Sequence, residues 1–312
     1  MKRDLISIRD LTRGEIEGFF DLATDLKQRL HQQIPHPLLP ARTLALIFEK
    51  PSLRTRVTFE VAMTQLGGHA IYLAPQDIRL GARETVEDAA KNLSRWVDGI
   101  VARTLNHATV EQLAQHATVP VINGLTDLTH PCQALSDLFT LKEKRGNLAG
   151  LRVAFIGDGN NVCHSWLYGA AKMGVDLTVA CPKGYAPNRD VVAKAREEAA
   201  ATRARLEVIH DPVRASEGAD VLYTDVWVSM GQEEEGSRRK QEFQGFQVNQ
   251  ALVDLAQEDV LVMHCLPARR GEEITDEVMD GPHSIILDQA ENRLHVQKAI
   301  LAALLGRSSS RE

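Results

Sequence analysis

Short apolar runs and amphipathic stretches alternate along almost the whole chain. Residues 43–48 are an apolar run of strand length, and 53–66 follow with helical spacing before Gly67-Gly68, a common helix stop. Further strands are expected at 70–73, 100–102 and 119–122, with helices at 84–95 and 110–116. A long helix is expected over 132–144, after which Gly146-Asn147 and Gly150 break the pattern. A second series follows, with strands expected at 151–156, 177–180, 206–209, 221–223, 260–263 and 285–287. Asp288 with Glu291 three residues later marks the start of a last helix, whose apolar face carries Leu294, Leu301, Leu304 and Leu305. This alternation predicts an α/β chain of parallel strands joined by helical crossovers, in two domains divided near residues 145–150.

The bulk numbers agree with that picture and narrow the chemistry. A chain of 312 residues suits about two domains. A net charge of −6 gives no reason to expect nucleic acid or an anionic membrane as partner, so any anion-binding charge must be local. Cys132, Cys163, Cys181 and Cys265 are scattered without a Cys-x-x-Cys pair, which suggests neither a metal site nor a disulfide framework. Met1-Lys2-Arg3-Asp4-Leu5 lacks the apolar stretch of an export signal, and no uncharged apolar run approaches about 18 residues. A cytoplasmic protein without membrane or nucleic-acid partners is expected.

Polar residues cluster where expected strands end. Ser52-Leu53-Arg54-Thr55-Arg56 places a helix N-cap, two hydroxyls and two arginines together. Free backbone N–H groups and charge-assisted donors there suit a phosphate, although a capped helix with a solvated basic first turn would look the same. His130-Pro131-Cys132-Gln133 follows the tip of a strand; a histidine there could donate to a carbonyl oxygen, or be merely structural. Gly157-Asp158-Gly159-Asn160-Asn161 invites a dinucleotide reading, but the third glycine of that fingerprint is missing. Asp225, just past a strand, could hold an amine, and the Ser229-Met230-Gly231 turn could present backbone N–H groups. Glu233-Glu234-Glu235 reads as a mobile, solvated loop. Cys265 at another strand end could be nucleophile, polar contact or filler, and Arg293 taken alone is a surface arginine.

In this order, Ser-x-Arg-Thr-Arg (52–56), His-Pro-Cys-Gln (130–133), Asp-Val-Trp-Val-Ser-Met-Gly (225–231) and His-Cys-Leu-Pro (264–267) are far more specific together than singly. The chain resembles the ornithine carbamoyltransferases, within the aspartate/ornithine carbamoyltransferase family, from about Ser7 to Leu305. The resemblance implies two doubly wound parallel-sheet domains joined by long helices, with the C-terminal helix packing back on the first. Residues 1–145, completed by helix 289–305, would bind carbamoyl phosphate, and 146–288 would bind ornithine. It implies that Ser52, Leu53 (through its backbone), Arg54, Thr55 and Arg103 wrap the phosphate, that Thr55, Arg103 and His130 polarise the carbamoyl oxygen, and that Gln133 with the carbonyls of Cys265 and Leu266 holds the carbamoyl NH2. Arg293 would complete that pocket. Asn161, Asp225, Ser229 and Met230 would hold ornithine, with Asp225 and Cys265 near its reacting amine. Arg54, Arg103, His130, Asp225 and Cys265 are thus the expected catalytic group. No cofactor or metal is implied, and a homotrimer or a multiple of trimers is.

Two positions depart from the family pattern. Leu53 replaces the usual threonine, in a role filled by backbone. Arg79, in Arg79-Leu80-Gly81, replaces a glutamine expected to reach the phosphate, and its length and charge differ. Three other readings stand beside the resemblance: a carbamoyltransferase for an N-acylated ornithine or a diamine, a nicotinamide-dependent dehydrogenase, and a non-catalytic relative.

Overall fold

A computed structural model of the chain describes residues 2–78, 80–228 and 233–306. Two units separate within it. The first comprises residues up to Leu135 together with those from Arg293 onward, and the second runs from Ser136 to Asn292.

The first unit opens with helix α1 (Arg13–His31), started by a capping box in which Thr12 and Glu15 satisfy each other's backbone N–H groups. Ile16, Phe19, Phe20, Ala23 and Leu26 recur at helical spacing and form its buried face. Then come β1 (Thr43–Phe48), α2 (Leu53–Gln65), β2 (His69–Leu73), α3 (Val86–Trp96), β3 (Gly99–Arg103), α4 (His107–His116), β4 (Val121–Leu125) and α5 (Pro131–Arg145). The strands form a parallel sheet in the order β2-β1-β3-β4. Central strands β1 and β3 are buried almost throughout, which explains why they read as continuous apolar runs.

The second unit contains β5 (Arg152–Ile156), α6 (Asn161–Met173), β6 (Asp176–Ala180), α7 (Arg189–Ala199), β7 (Leu206–Ile209), β8 (Val221–Thr224), β9 (Leu261–His264) and α8 (Ile286–Leu305). Its parallel sheet has the order β7-β6-β5-β8-β9. The division between units falls inside α5 and inside α8. The end of α8 belongs to the first unit, where Lys298 reaches the Leu26 carbonyl of α1 at 3.4 Å. Gly99 leaves room for Leu305, since a Cβ there would lie 2.9 Å from its Cδ2.

Both sheets are doubly wound, and each reverses strand order once, beside β1 and β3 in the first and β5 and β8 in the second. Ligands of open α/β sheets bind past the strand carboxyl ends at such reversals.

Two expectations fail locally. Residues 285–287 form no strand; Ser284 makes one bridge to Val262, and α8 begins at Ile286, two residues before Asp288. Three apolar residues look like a strand in isolation, but a 20-residue helix that buries Val296, Ala299, Ile300 and Leu301 outweighs them. Residues 233–235 form a 3-10 turn leading into a helix at Gly236–Glu242 where a loop was expected, while Glu234 and Glu235 are exposed as expected. The reason is Arg239, which is buried and donates to Asp158 Oδ2 at 2.8 Å, to Glu235 at 3.1 Å and to the Trp227 carbonyl at 3.0 Å.

Candidate active site

In the first unit the sequence candidates gather at the ends of β1, β3 and β4. Ser52 caps α2 and accepts the Thr55 N–H, so the first turn of the helix is fixed. Glu49 ties the ends of β1 and β3 together, donating its N–H to the Arg103 carbonyl (2.9 Å) and accepting the Leu105 N–H (2.6 Å). Thr55 is fully buried, and its Oγ1 receives Arg103 Nη1 at 3.3 Å and Arg293 Nη2 at 3.0 Å. Arg293 is therefore not the surface residue its isolated reading suggests; it is 3% exposed and lies inside α8 rather than in its first turn. A helix start, two guanidinium groups and a buried hydroxyl together make a strong anion cradle. Arg54 sits in the same first turn of α2, while the Leu53 side chain is exposed, consistent with a backbone role.

His130 follows a tight loop. Thr126 donates its N–H to the Thr129 carbonyl (3.0 Å), and Asn123 Nδ2 donates to Ile6 O and Thr129 Oγ1, both at 3.0 Å. Burial, reinforced by the charges of Arg293 and Arg103, pushes the His130 pKa well below its ordinary 6.5. A neutral imidazole with one N–H results, able to donate to a carbonyl oxygen without bringing a further full charge. Gln133, one turn along α5, is also buried.

In the second unit the candidates sit past β5, β8 and β9. Gly157 has φ of 139°, and a Cβ on Gly159 would fall 2.3 Å from the Pro187 nitrogen. These glycines serve a tight turn and close backbone approach within the unit. Asn160 caps α6, accepting the Val162 and Cys163 N–H groups, and its Nδ2 donates to Asp225 Oδ2 at 2.7 Å. Asn161 opens the helix. Asp225 is buried and also accepts the Val226 N–H (2.8 Å) and the Cys265 thiol (2.9 Å) on Oδ1. Burial, then the Asp225 charge, pushes the Cys265 thiol well above its ordinary range. Cys265 is a protonated donor at neutral pH, which argues against a thiolate nucleophile or base.

Leu266 has φ of 59°, an unusual value held by its N–H donating to His264 Nδ1 at 2.8 Å. Because that nitrogen accepts, His264 Nε2 carries the proton and donates to Glu273 Oε1 at 3.0 Å. Asp225, His264 and Cys265 offer ligand atoms within 4.8 Å of one another, but each is already hydrogen-bonded inside the protein. Arg79, Ser229 and Met230 lie outside the described residues.

Sequence reasoning gave no role to His264, Glu273, Asp137 or the Asp158–Arg239 pair. Asp158 is buried, which raises its pKa to about 6 against the opposing pull of Arg239. Nothing in the local pattern around these residues marks their contacts, since most of the partners are distant in sequence.

Two parallel-sheet units, each with polar and charged groups gathered past strand carboxyl ends, define a two-domain α/β enzyme. Comparison with known proteins narrows the class. Residues 3–143 match the family model described as aspartate/ornithine carbamoyltransferase, carbamoyl-P binding domain. Residues 149–304 match the Asp/Orn binding domain of the same family. An ornithine carbamoyltransferase of Pyrococcus horikoshii is 54% identical over 306 residues, covering 97% of this chain and 96% of that protein. The solved ornithine carbamoyltransferase of Pyrococcus furiosus superposes with a TM-score of 0.95 at 53% identity, covering 97% of both chains. The anabolic enzyme of Campylobacter jejuni gives 0.92 at 40% identity, covering 97% of this chain and 99% of the other. The chain belongs to the aspartate/ornithine carbamoyltransferase family.

Proposed function

We propose that this protein is an ornithine carbamoyltransferase, moving the carbamoyl group of carbamoyl phosphate to the side-chain amine of L-ornithine to give L-citrulline and phosphate. The observation that carries the reading is the convergence of Arg103 and Arg293 on buried Thr55 at the start of α2, with neutral His130 under the influence of both charges. Relatives named for ornithine, one of them an anabolic enzyme of Pyrococcus furiosus, support both the acceptor and a place in arginine biosynthesis.

In this reading residues 1–145, completed by 289–305, bind carbamoyl phosphate, and 146–288 bind ornithine. Ser52, the Leu53 backbone, Arg54, Thr55, Arg79, Arg103 and Arg293 hold the phosphate. Thr55, Arg103 and His130 donate to the carbamoyl oxygen, where negative charge grows as the amine attacks. Gln133 and the carbonyls of Cys265 and Leu266 hold the carbamoyl NH2. Asn161, Ser229 and Met230 hold the amino-acid end of ornithine, and Asp225 with Cys265 faces the reacting amine. That amine is mostly protonated at neutral pH and must lose a proton before attack. Positioning and charge stabilisation supply most of the rate. The amine's nitrogen bonds to the carbamoyl carbon, a tetrahedral species forms, and the bond to the phosphate oxygen breaks. The protein would act in the cytoplasm as a homotrimer or a multiple of trimers; no helix among the described residues is long and apolar enough to cross a membrane.

The test is product formation from carbamoyl phosphate with ornithine, N-acetylornithine, putrescine and aspartate in parallel. Turnover with ornithine alone supports the reading. Preference for an N-acylated ornithine or a diamine replaces the acceptor and keeps the carbamoyl phosphate half. Sedimentation of the same sample checks the trimer.

A further inference from the structure

Behind Cys265 in the second unit lies a buried polar cluster that the proposed chemistry does not use. Asp137, on α5, is fully buried. Its Oδ2 accepts the Trp166 indole N–H at 3.0 Å and the Tyr223 hydroxyl at 2.9 Å. Its Oδ1 accepts the Gln289 amide at 2.7 Å. The other end of that amide, Gln289 Oε1, accepts the backbone N–H of His264 at 2.9 Å, one residue before Cys265. Gln289 thus links the Asp137 carboxylate to the end of β9. Strand pairing supplies a second link. Tyr223 pairs with Met263 across β8 and β9, and two residues further along the chain come Asp225 and Cys265, which bond to each other. The charge of Asp137 and the hydroxyl of Tyr223 also enter the electrostatic surroundings of the Cys265 thiol.

A buried carboxylate without donors is strongly unfavourable, so such a residue needs the full set of partners that Asp137 has. Donors on both carboxylate oxygens leave it little freedom to move. Whatever it grips is held equally firmly, and what it grips is the base of the strand end that carries the thiol.

We infer that Asp137 and Tyr223 are positioning residues for the proposed reaction: through Gln289 and the β8–β9 pairing they fix the end of β9 so that the Cys265 thiol donates to Asp225. The inference rests on the carbamoyltransferase reading, because it gives the Cys265–Asp225 pair its task at the acceptor amine.

The polarity of the cluster offers a specific test. Asp137→Asn places an NH2 group against donors, on one side or the other, and breaks the chain of bonds. Adding Gln289→Glu mends it. The amide introduced at position 137 would then donate to the carboxylate introduced at position 289, which still accepts the His264 N–H. The amide oxygen at position 137 would accept from Trp166 and Tyr223. Charge and volume are nearly unchanged. The full-length protein is assayed for turnover with ornithine and for iodoacetamide labelling of each cysteine by peptide mass spectrometry. Asp137→Asn should lower kcat roughly tenfold, the scale expected when a reacting group is displaced by a fraction of an ångström. It should also speed labelling of Cys265 several-fold while Cys163, buried in the same unit, is unaffected. The double variant should return both readings to within about threefold of wild type, because every donor again has an acceptor. If Asp137→Asn does not accumulate as folded protein, Tyr223→Phe, which removes one hydroxyl from the same carboxylate, is read in the same two ways. Unchanged kcat and Cys265 labelling, equal acceleration at Cys163 and Cys265, or no recovery in the double variant would each overturn the inference. A wild-type protein that does not carbamoylate ornithine refutes the functional reading instead, and the labelling pattern still decides whether Asp137 positions Cys265.

Discussion

Lys298 offers a quantitative check on the packing of α8 against α1. Its side chain is fully enclosed, with Nζ 3.4 Å from the Leu26 carbonyl and 3.2 Å from His36 Nε2, and among the described residues no carboxylate pairs with its ammonium. Burial lowers its pKa from 10.5 to about 8. Between these values the unfolded chain holds more protons than the folded one, so stability rises with pH across that window. Below pH 8 the cost of burying the charge is present in full. Going from pH 7 to pH 9.5 relieves about 2 kcal/mol of it, from the titration curves of the two states. Lys298→Met has no such charge, and its pH dependence should lack this contribution. At roughly 2.1 cal/mol/K per residue, a chain of this length converts 2 kcal/mol into about 3 °C of melting temperature. The melting temperature of Lys298→Met relative to wild type should therefore fall by about 3 °C when both are scanned at pH 7 and then pH 9.5. Other groups that titrate in this range are common to both proteins and cancel. Parallel curves would show that Lys298 reaches water, and that the enclosed contact of α8 with α1 is wrong.

Other predictions concern the site. Arg54→Ala should reduce turnover by at least about a hundredfold while leaving the circular dichroism spectrum intact, since it removes a cation from the first turn of α2 where the anion is held; an active, phosphate-binding Arg54→Ala protein would sink the anion-cradle assignment. Asp225→Asn should raise the KM for ornithine far more than that for carbamoyl phosphate, because Asp225 sits in the second unit with Cys265 and Asn160; equal shifts in both constants would count against its role. Gly159→Ala should destabilise by about 3 kcal/mol or more, because the new Cβ would meet the Pro187 backbone at 2.3 Å rather than a movable side chain. A melting temperature within a degree of wild type would show that the loop can shift.

The protonation pattern constrains the proton path of the proposed reaction. Cys265 keeps its proton and gives a hydrogen bond to Asp225, while His130 stays neutral. The carboxylate, not the thiol, is then the group in this pair able to attract a substrate ammonium. The thiol orients that carboxylate through one oxygen, and the Asn160 amide holds the other.

Local rules determined much of this protein from sequence alone. Blocks of apolar residues at strand length announced β1 and β5 because parallel strands covered on both faces need no alternation. Ser52 announced the start of α2 because an N-cap is a contact between near neighbours. The ordered motifs marked Thr55, His130, Asp225 and Cys265 and the family to which the chain belongs. Only the tertiary structure decided which groups meet. Arg293 reaches Thr55 across 238 residues of sequence, and Gln289 reaches Asp137 across 152. No periodicity or spacing encodes such pairs; they follow from strand order and from the return of α8 to the first unit. The same holds for the stretch after 233–235, which read as loop although buried Arg239 anchors the helix that follows; Glu234 and Glu235 themselves are exposed, as their charge implies. It holds also for the ionisation of His130 and Cys265, because a pKa depends on burial and on nearby charge, and both are properties of the folded chain.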